Sequence, residues 1–276
     1  MDLATPDGPK RLPFDARNTH YQGIFLTGFE LGYEAASLAL LDVLLGNDGT
    51  FYDVGGNFGY FSLSLAARPG SKGHIHTFEP HPTSFAELKQ HIAASGLGGH
   101  ITPHDIALSD QDGTGRLRID SLHSALTKLV DGAGGVDVPL QKLDSLDLPK
   151  PDVLKIDVED HELAVLKGGE RLLTDHRSAV LFESLRGAPL GATFQPFDYL
   201  EGLGYGFHVP AWHLEDHEGG FFVSEPSALN LQGRTPSLAL LTFERHNRFL
   251  LDDNLNILAW PKEKAAELRE LFEEHS

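Results

Sequence analysis

The chain contains no cysteine, which excludes disulfide bonds, thiolate metal sites and a cysteine nucleophile. Long apolar runs are missing as well, since none approaches the roughly 20 residues that a helix needs to cross a bilayer. The first residues, MDLATPDGPKRLPFD, lack the apolar core of a signal peptide. We therefore expect a soluble, cytoplasmic protein.

Basic residues are scarce: lysine and arginine number 22 against 40 aspartates and glutamates, which gives a formal net charge of −18. A field of this sign repels phosphate and anionic lipid, so we expect neither a nucleic-acid nor a membrane partner. A small neutral or cationic molecule fits better, and a homodimer is compatible with the sequence. We interpret residues 1–20 as an extended arm and residues 21–276 as a single domain.

The most informative segment is Thr50 to Ser64, TFYDVGGNFGYFSLS. Its apolar start predicts a strand, and the residues after Gly59 are compatible with a helix. Between them, Gly55 and Gly59 permit a sharp turn and the close approach of a ligand, and Asn57 lies in the same turn. The new helix presents free N–H groups to that ligand. The segment therefore predicts a cofactor site.

An acid at the end of the predicted strand indicates which cofactor. A dinucleotide site has G-x-G-x-x-G spacing and binds a pyrophosphate, which Asp53 would repel. A carboxylate suits a cation, and S-adenosylmethionine carries an ammonium and a sulfonium centre. A second predicted strand, HIHTF, ends at Glu79, where an acid can accept hydrogen bonds from ribose hydroxyls. A nicotinamide oxidoreductase and a binding protein without turnover remain alternatives.

Acids follow two further predicted strands. Residues 151–158 are an apolar run that ends at Asp157, interrupted by Lys155, and residues 179–182 are followed by Glu183. Because parallel strands present their carboxyl ends to one crevice, we expect these acids to converge with those of the first two strands.

Other elements complete the predicted α/β fold. Residues 29–45 have helical spacing, and Glu34 on this helix could reach the methionine end of the cofactor. A crossover helix with Thr83 as N-cap ends at Gly96, and Asp105 and Ile106 then lie where an adenine ring would be held. The remaining predicted elements are an antiparallel excursion (115–120 and 136–143), a short helix (197–203), short strands (206–210 and 221–223), a lid or substrate wall (207–235), a last strand (257–260) and a C-terminal helix (262–275).

Four blocks, FYDVGGNFGYFSL, HTFEPHPTSFAELKQHI, DIALSD with the later LQKLDSL, and VLKIDVEDHELAVLKGG, resemble the FkbM-like methyltransferases over roughly residues 34–183. The resemblance implies a doubly wound, mostly parallel, seven-stranded Rossmann-like sheet with an antiparallel last strand and helices on both faces. It also implies S-adenosylmethionine-dependent methylation of hydroxyl groups on sugars, glycans or polyketide-type natural products. Two departures are Gly56, where alanine is usual and the glycine is expected to be harmless, and Asp160, where glycine is usual.

Methyl transfer to a hydroxyl needs a base for the hydroxyl proton. Asp157, Glu159 and His161 alternate after the predicted fourth strand, and in extended structure they would face the crevice together. His161 has the most suitable pKa range for a base, and Asp157 and Glu183 remain alternatives. If His161 is the base, Asp157 would orient the substrate or the imidazole. The same three residues could instead bind a divalent ion, although we predict no resident metal.

Overall fold

A mixed central sheet dominates the computed structural model of the protein, which describes residues 1–15, 17–26, 32–119, 127–130, 135–184, 190–214, 220–222, 231, 233–250 and 254–274. The strands in chain order are β1 (Asp2–Thr5), β2 (Gly8–Arg11), β3 (Thr50–Val54), β4 (His74–Phe78), β5 (Ile101–His104), β6 (Ala107–Leu108), β7 (Gly113–Arg118), β8 (Lys128–Leu129), β9 (Val136–Gln141), β10 (Val153–Ile156), β11 (Ala179–Ser184), β12 (Tyr205–Leu214), β13 (Gly220–Phe222), β14 (Ser237–Thr242) and β15 (Leu255–Pro261). The helices are α1 (Thr19–Leu26), α2 (Ala35–Leu45), α3 (Tyr60–Ala66), α4 (Pro82–Ser95), α5 (Glu162–Gly168), α6 (Leu190–Gly202) and α7 (Ala265–Glu274).

The central sheet confirms the predicted α/β architecture, but it has more strands and more antiparallel strands than we predicted. Strands β5, β4, β3, β10 and β11 are parallel neighbours, and β15 is antiparallel to both β11 and β12. The predicted count of seven strands is wrong, because β13 and β14 also pair with β12 and bring the sheet to nine strands.

The extra strands depend on the length of β12. We predicted a short strand that ends at Pro210, whereas the structure has one continuous strand of ten residues. Its first part pairs with β15 and its second part with β14, so Pro210 lies inside a paired strand. Residues 207–214 of the predicted lid are therefore sheet. Residues 215–219, 223–230 and 232 of that segment lie outside the described residues, and the lid stays a prediction.

Alternating side chains of the central strands pack against helices on the two faces of the sheet. Tyr52 and Val54 belong to a core that also contains α5 and α6 residues, whereas Phe51 belongs to a second core shared with α2, α3, α4 and α7. Because successive side chains point to opposite faces and helices cover both faces, these strands read as continuous apolar runs. No helix in the described ranges is long and apolar enough to span a membrane.

In place of the extended arm predicted for residues 1–20, the chain begins with an antiparallel hairpin, β1 and β2, and then enters α1. The turn between the strands contains Pro6, Asp7 and Gly8, and Gly8 has φ +103°, as turn chemistry favours. Leu3 and Leu12 are buried by this hairpin. The single domain at 21–276 stays a prediction.

Several helix boundaries also differ from the predicted ones. Helix α2 begins after Glu34, not at residue 29, and residues 27–31 lie outside the described ones. His81 caps α4 in place of Thr83, because its ring accepts a hydrogen bond from the Ser84 N–H. Helix α6 begins earlier, at Leu190.

The predicted antiparallel excursion is present as β7 paired with β9. It is larger than predicted, since β8 pairs with β7 and β6 joins β9 in parallel to make a four-stranded small sheet. This small sheet borders the cavity described next.

Candidate active site

A cavity of about 360 Å³ lies at the carboxyl ends of β3, β4, β10 and β11. The four acids predicted to converge, Asp53, Glu79, Asp157 and Glu183, all line it. The small sheet contributes Leu117, Thr127 and Leu129, so the cavity is bounded by both sheets. The arrangement follows from parallel strands that end at one edge.

Gly55 lets β3 and β10 approach each other closely. Its φ is +84°, and a Cβ at this position would lie 1.9 Å from the backbone oxygen of Asp157. Its N–H donates to the Phe78 carbonyl at 2.9 Å, which joins the turn to β4. Gly55 lines the cavity as predicted, but the contact that demands glycine is with the neighbouring strand.

The other two glycines of the turn also pack against protein. A Cβ on Gly59, which caps α3 with φ +92°, would lie 2.6 Å from Leu88 Cδ1, and Gly59 does not line the cavity. We had predicted that glycine at position 59 leaves space for a ligand, whereas in the structure the side chain of Leu88 needs that space. A Cβ on Gly56 would lie 2.1 Å from Thr77 Cγ2, so the alanine usual in the resemblance would not fit here without a shift.

Asp53 is buried at the end of β3 and held by hydroxyl groups. Ser62 Oγ donates to Asp53 Oδ2 at 2.6 Å and lies 2.6 Å from Thr77 Oγ1. Burial raises the pKa of Asp53, while the charge of Lys155 opposes the rise. Ser62 and Thr77 were not predicted as site residues, because neither residue type signals such a contact in the sequence.

Glu79 is 7% exposed, and backbone donors hold both of its oxygens. The Asn57 N–H donates to Oε2 at 2.8 Å, and the His81 N–H donates to Oε1 at 2.7 Å. Burial raises the pKa of Glu79 to about 7, although these two hydrogen bonds favour the charged form. Asn57, which has φ +48°, and Glu79 both line the cavity, and the two predicted cofactor residues are in direct contact.

Lys155 is a buried cation among acids of the cavity. Its Nζ donates to Asp157 Oδ2 at 2.7 Å and lies 4.5 Å from the centre of the Phe61 ring. Burial alone would lower the pKa of Lys155, but Asp157, Glu34 and Asp53 together raise it above its usual value. The sequence showed Lys155 only as an interruption of an apolar strand, so its role as a counter-ion was missed.

Glu34 lines the cavity from the residue before α2, as predicted for the methionine end of the cofactor. Asn256 Nδ2 donates to Glu34 Oε2 at 2.8 Å, which connects this residue to β15. Burial raises the pKa of Glu34, with Lys155 acting in the opposite direction.

Asp157, Glu159 and Glu183 form an acidic cluster in which one oxygen of each lies within 4.8 Å of the others. Burial and then the charge of Asp157 raise the pKa of Glu159 to about 7 and that of Glu183 to about 9. The spacing would allow a divalent ion or another cation to be shared. We had considered Asp157, Glu159 and His161 as metal ligands, but in the structure Glu183 takes the place of His161 in this cluster. A cluster of acids alone does not establish a metal site.

His161 lines the cavity but contacts a residue that we did not predict. Its Nε2 lies 3.0 Å from Ser109 Oγ, and burial lowers the pKa of the ring. The predicted alternation of Asp157, Glu159 and His161 is wrong in its geometry, because β10 ends at Ile156 and Glu159 has φ +51°. All three side chains nevertheless line the cavity.

The two residues predicted to hold adenine have different positions. Ile106 lines the cavity and packs against the core. Asp105 is exposed and is absent from the cavity lining formed by the described residues. The adenine interpretation therefore rests on Ile106 in this structure, and the role of Asp105 stays a prediction.

Comparisons with known proteins identify the family of this chain. Residues 53–207 match the family described as the methyltransferase FkbM domain. The hexuronic acid methyltransferase AglP of Haloferax volcanii is 31% identical over 125 residues, which are 44% of this chain and 50% of AglP, so the chain matches about half the length of that relative.

Two of the solved structures that match do so at low sequence identity and with TM-scores below 0.5. The methyltransferase FkbM from Methylobacillus flagellatus is 15% identical with a TM-score of 0.44, over 58% of this chain and 39% of its own. A TehB-like SAM-dependent methyltransferase from Corynebacterium glutamicum is 10% identical with a TM-score of 0.45, over 88% and 95% of the two chains. Because the FkbM domain match covers more than half of its residues, the chain belongs to the FkbM methyltransferase family.

Proposed function

We propose that the protein is an S-adenosylmethionine-dependent O-methyltransferase that acts on a hydroxyl group of a small molecule such as a sugar, a glycan or a polyketide-type product. The observation that carries this proposal is Glu79, a buried carboxylate held by two backbone N–H groups beside a glycine turn and within the same cavity as Asp53. A carboxylate fixed in this way has lone pairs left for ribose hydroxyls.

The chemistry of the cavity fits this cofactor. Lys155 is the one lysine or arginine among the described residues that line the cavity, whereas six acids line it: Glu34, Asp53, Glu79, Asp157, Glu159 and Glu183. Such a surplus of carboxyl groups favours an ammonium and a sulfonium over a pyrophosphate. When bound, the cofactor would supply an electrophilic methyl group. Asp53 and Glu79 would hold it, and Ile106 would pack on its adenine.

The remaining residues would handle the acceptor. His161, kept neutral by burial, would take the hydroxyl proton, while Asp157 would orient the substrate. The small sheet would help to exclude water from the cavity through Leu117 and Leu129. The name of AglP suggests a sugar acceptor, and we extend this to the present chain as part of the proposal. A cytoplasmic location stays a prediction from the sequence.

The test is calorimetric titration of the protein with S-adenosylmethionine and, separately, with NAD. We expect binding of the first alone, and Glu79→Ala should weaken it by about 1.5–3 kcal/mol, since a hydrogen bond to a charged group is lost. Glu267→Ala on α7 is the matched control, because Glu267 is exposed and absent from the cavity lining. Thermal melting establishes that each variant is folded.

Turnover is then measured by mass spectrometry on a panel of hydroxylated acceptors that includes neutral hexosides and hexuronates. A mass gain of one methyl group that requires the cofactor supports the proposal. Binding of NAD without binding of S-adenosylmethionine would overturn it in favour of an oxidoreductase, and tight cofactor binding without any methylated product would indicate a binding protein.

A further inference from the structure

We infer that Ser109 and Asp110 are positioning residues that fix the tautomer of His161, so that Nδ1 is the atom that takes the proton of the acceptor hydroxyl. This inference rests on the proposed function, and it assigns a role to Ser109 and Asp110 at the end of the DIALSD block.

Ser109 is held rigidly beside the imidazole. It is 2% exposed, and its N–H donates to the Gln141 carbonyl at 2.9 Å, which ties it to the end of β9. Its own carbonyl packs against α5, where a Cβ on Gly168 would lie 2.0 Å from the Ser109 oxygen. A hydroxyl fixed from two sides can define the orientation of the ring that it contacts.

The hydroxyl of Ser109 has two polar neighbours and one proton. Its Oγ lies 3.0 Å from His161 Nε2 and 3.4 Å from Asp110 Oδ1. A carboxylate can only accept, so the serine proton is directed to Asp110, and Ser109 Oγ is left to accept from His161. If Ser109 donated its proton to His161 instead, no proton would lie between Ser109 Oγ and Asp110 Oδ1.

This polarity determines the state of the ring. Nε2 carries the hydrogen and donates to Ser109, and Nδ1 keeps its lone pair. Across the described ranges, Nδ1 makes no hydrogen bond, and His161 lines the cavity. Nδ1 is therefore the ring nitrogen available to a substrate.

Bound S-adenosylmethionine would supply the methyl group to the acceptor oxygen and would keep the electron pair of the broken carbon–sulfur bond on sulfur. His161 Nδ1 would take the hydroxyl proton. The resulting imidazolium is stabilised through Nε2–H, Ser109 and the charge of Asp110. In the Ser-His-Asp triad a buried carboxylate orients the catalytic histidine directly, whereas here an exposed carboxylate, that of Asp110, acts through a serine.

The first measurement is ¹⁵N NMR of the parent protein at neutral pH, with His161 assigned by His161→Gln. We expect a protonated Nε2 and an unprotonated Nδ1. A spectrum with Nδ1 protonated and Nε2 bare would overturn the inference, and this readout needs no turnover.

The second measurement is kinetic. Ser109→Ala should lower kcat by about 10–100-fold, with little change in KM and cofactor affinity, because the base is misoriented while binding is intact. Asp110→Asn should cause a smaller fall in kcat, and Ser109→Thr should restore most of the activity because it keeps the hydroxyl.

The matched control is Ser95→Ala, which removes an equally buried serine hydroxyl that donates to the Ile92 carbonyl on α4, away from the cavity. Both alanine variants lose some stability, but only Ser109→Ala should change kcat and the His161 spectrum. Equal kcat in the two would overturn the inference. An inactive parent would overturn the proposed function instead, so the two failures are distinguishable.

Discussion

Glu79 and Glu183 line the same cavity at the ends of different strands, yet their surroundings differ. Both oxygens of Glu79 accept backbone N–H groups, whereas Glu183 Oε1 receives one amide, from Asn254 at 3.2 Å, and lies close to Asp157 and Glu159. Burial raises the pKa of Glu79 to about 7 and that of Glu183 to about 9. The glycine-turn side of the cavity is thus preorganised by the backbone, and the acidic side holds protons until a cation replaces them.

The backbone shows the same contrast. The turn after β3 has left-handed φ values at Gly55, Asn57 and Gly59, residue types that adopt them at little cost. The turn after β10 has them at Asp160, a type that tolerates them almost as well as asparagine, and at Glu159, whose longer side chain makes them cost on the order of 1 kcal/mol. The acidic side therefore also stores backbone strain.

The largest expected effect tests the rigidity of the glycine turn. Gly55→Ala should lower the free energy of unfolding by about 3 kcal/mol or more, because a Cβ 1.9 Å from the Asp157 oxygen forces β3 away from β10. Gly96→Ala is the control: its φ of +77° is close to the +84° of Gly55, and nothing lies within 4 Å of its Cβ. We expect a loss of about 1 kcal/mol there from strain alone. Equal losses in denaturant unfolding would show that the turn is not closely packed.

A smaller effect tests the protonation of the acidic side. An ordinary glutamate in the unfolded chain titrates near 4.5, and in the folded protein Glu183 titrates at about 9. Its contribution to stability is full below the unfolded pKa and is lost as pH rises towards the folded pKa. Glu183→Gln removes this dependence, so from pH ~5 to pH ~6.5 the parent should lose about 2 kcal/mol relative to the variant.

The control for that experiment is Glu267→Gln on α7, an exposed glutamate outside the cavity lining. The free energy of unfolding of this control should differ from that of the parent by the same amount at both pH values. If the free energy of unfolding of Glu183→Gln changes with pH in the same way as that of the parent, the acidic side does not hold extra protons. The contrast with Glu79 then disappears.

The acids of the cavity could be predicted from the sequence because one rule, that parallel strands end at one edge, needs only local patterns. Asp53, Glu79, Asp157 and Glu183 met as that rule requires. Several contacts of the site could not be predicted, since residue types alone do not show which side chains packing brings together. Ser62 donates to Asp53 and lies against Thr77. Ser109 reaches His161 across 52 residues.

The errors in the fold have the same origin. Pro210 indicated the end of a strand, but the pairing of β12 with β14 carries the strand past it. Gly59 was interpreted through a ligand, whereas its neighbour is Leu88 of α4. Local propensity predicts elements well, and tertiary contacts decide where they end and what they touch.

The smallest expected effect concerns the strained turn after β10. Asp160 has φ +71°, and its Oδ2 pairs with Lys128 Nζ of the small sheet at 2.5 Å, with both side chains partly exposed. Asp160→Gly relieves about 0.5–1 kcal/mol of backbone strain but loses an ion pair worth up to about 1 kcal/mol. Because these two effects oppose each other, the free energy of unfolding at low salt should change by less than about 0.5 kcal/mol. At about 1 M salt the pair is screened, and the variant should become more stable than the parent by about 0.5–1 kcal/mol. Asp160→Asn, which tolerates the same φ without the charge, should lose stability at low salt and match the parent at high salt. If Asp160→Gly is destabilised at both salt concentrations, the turn is not strained, and the two sides of the cavity differ in charge alone.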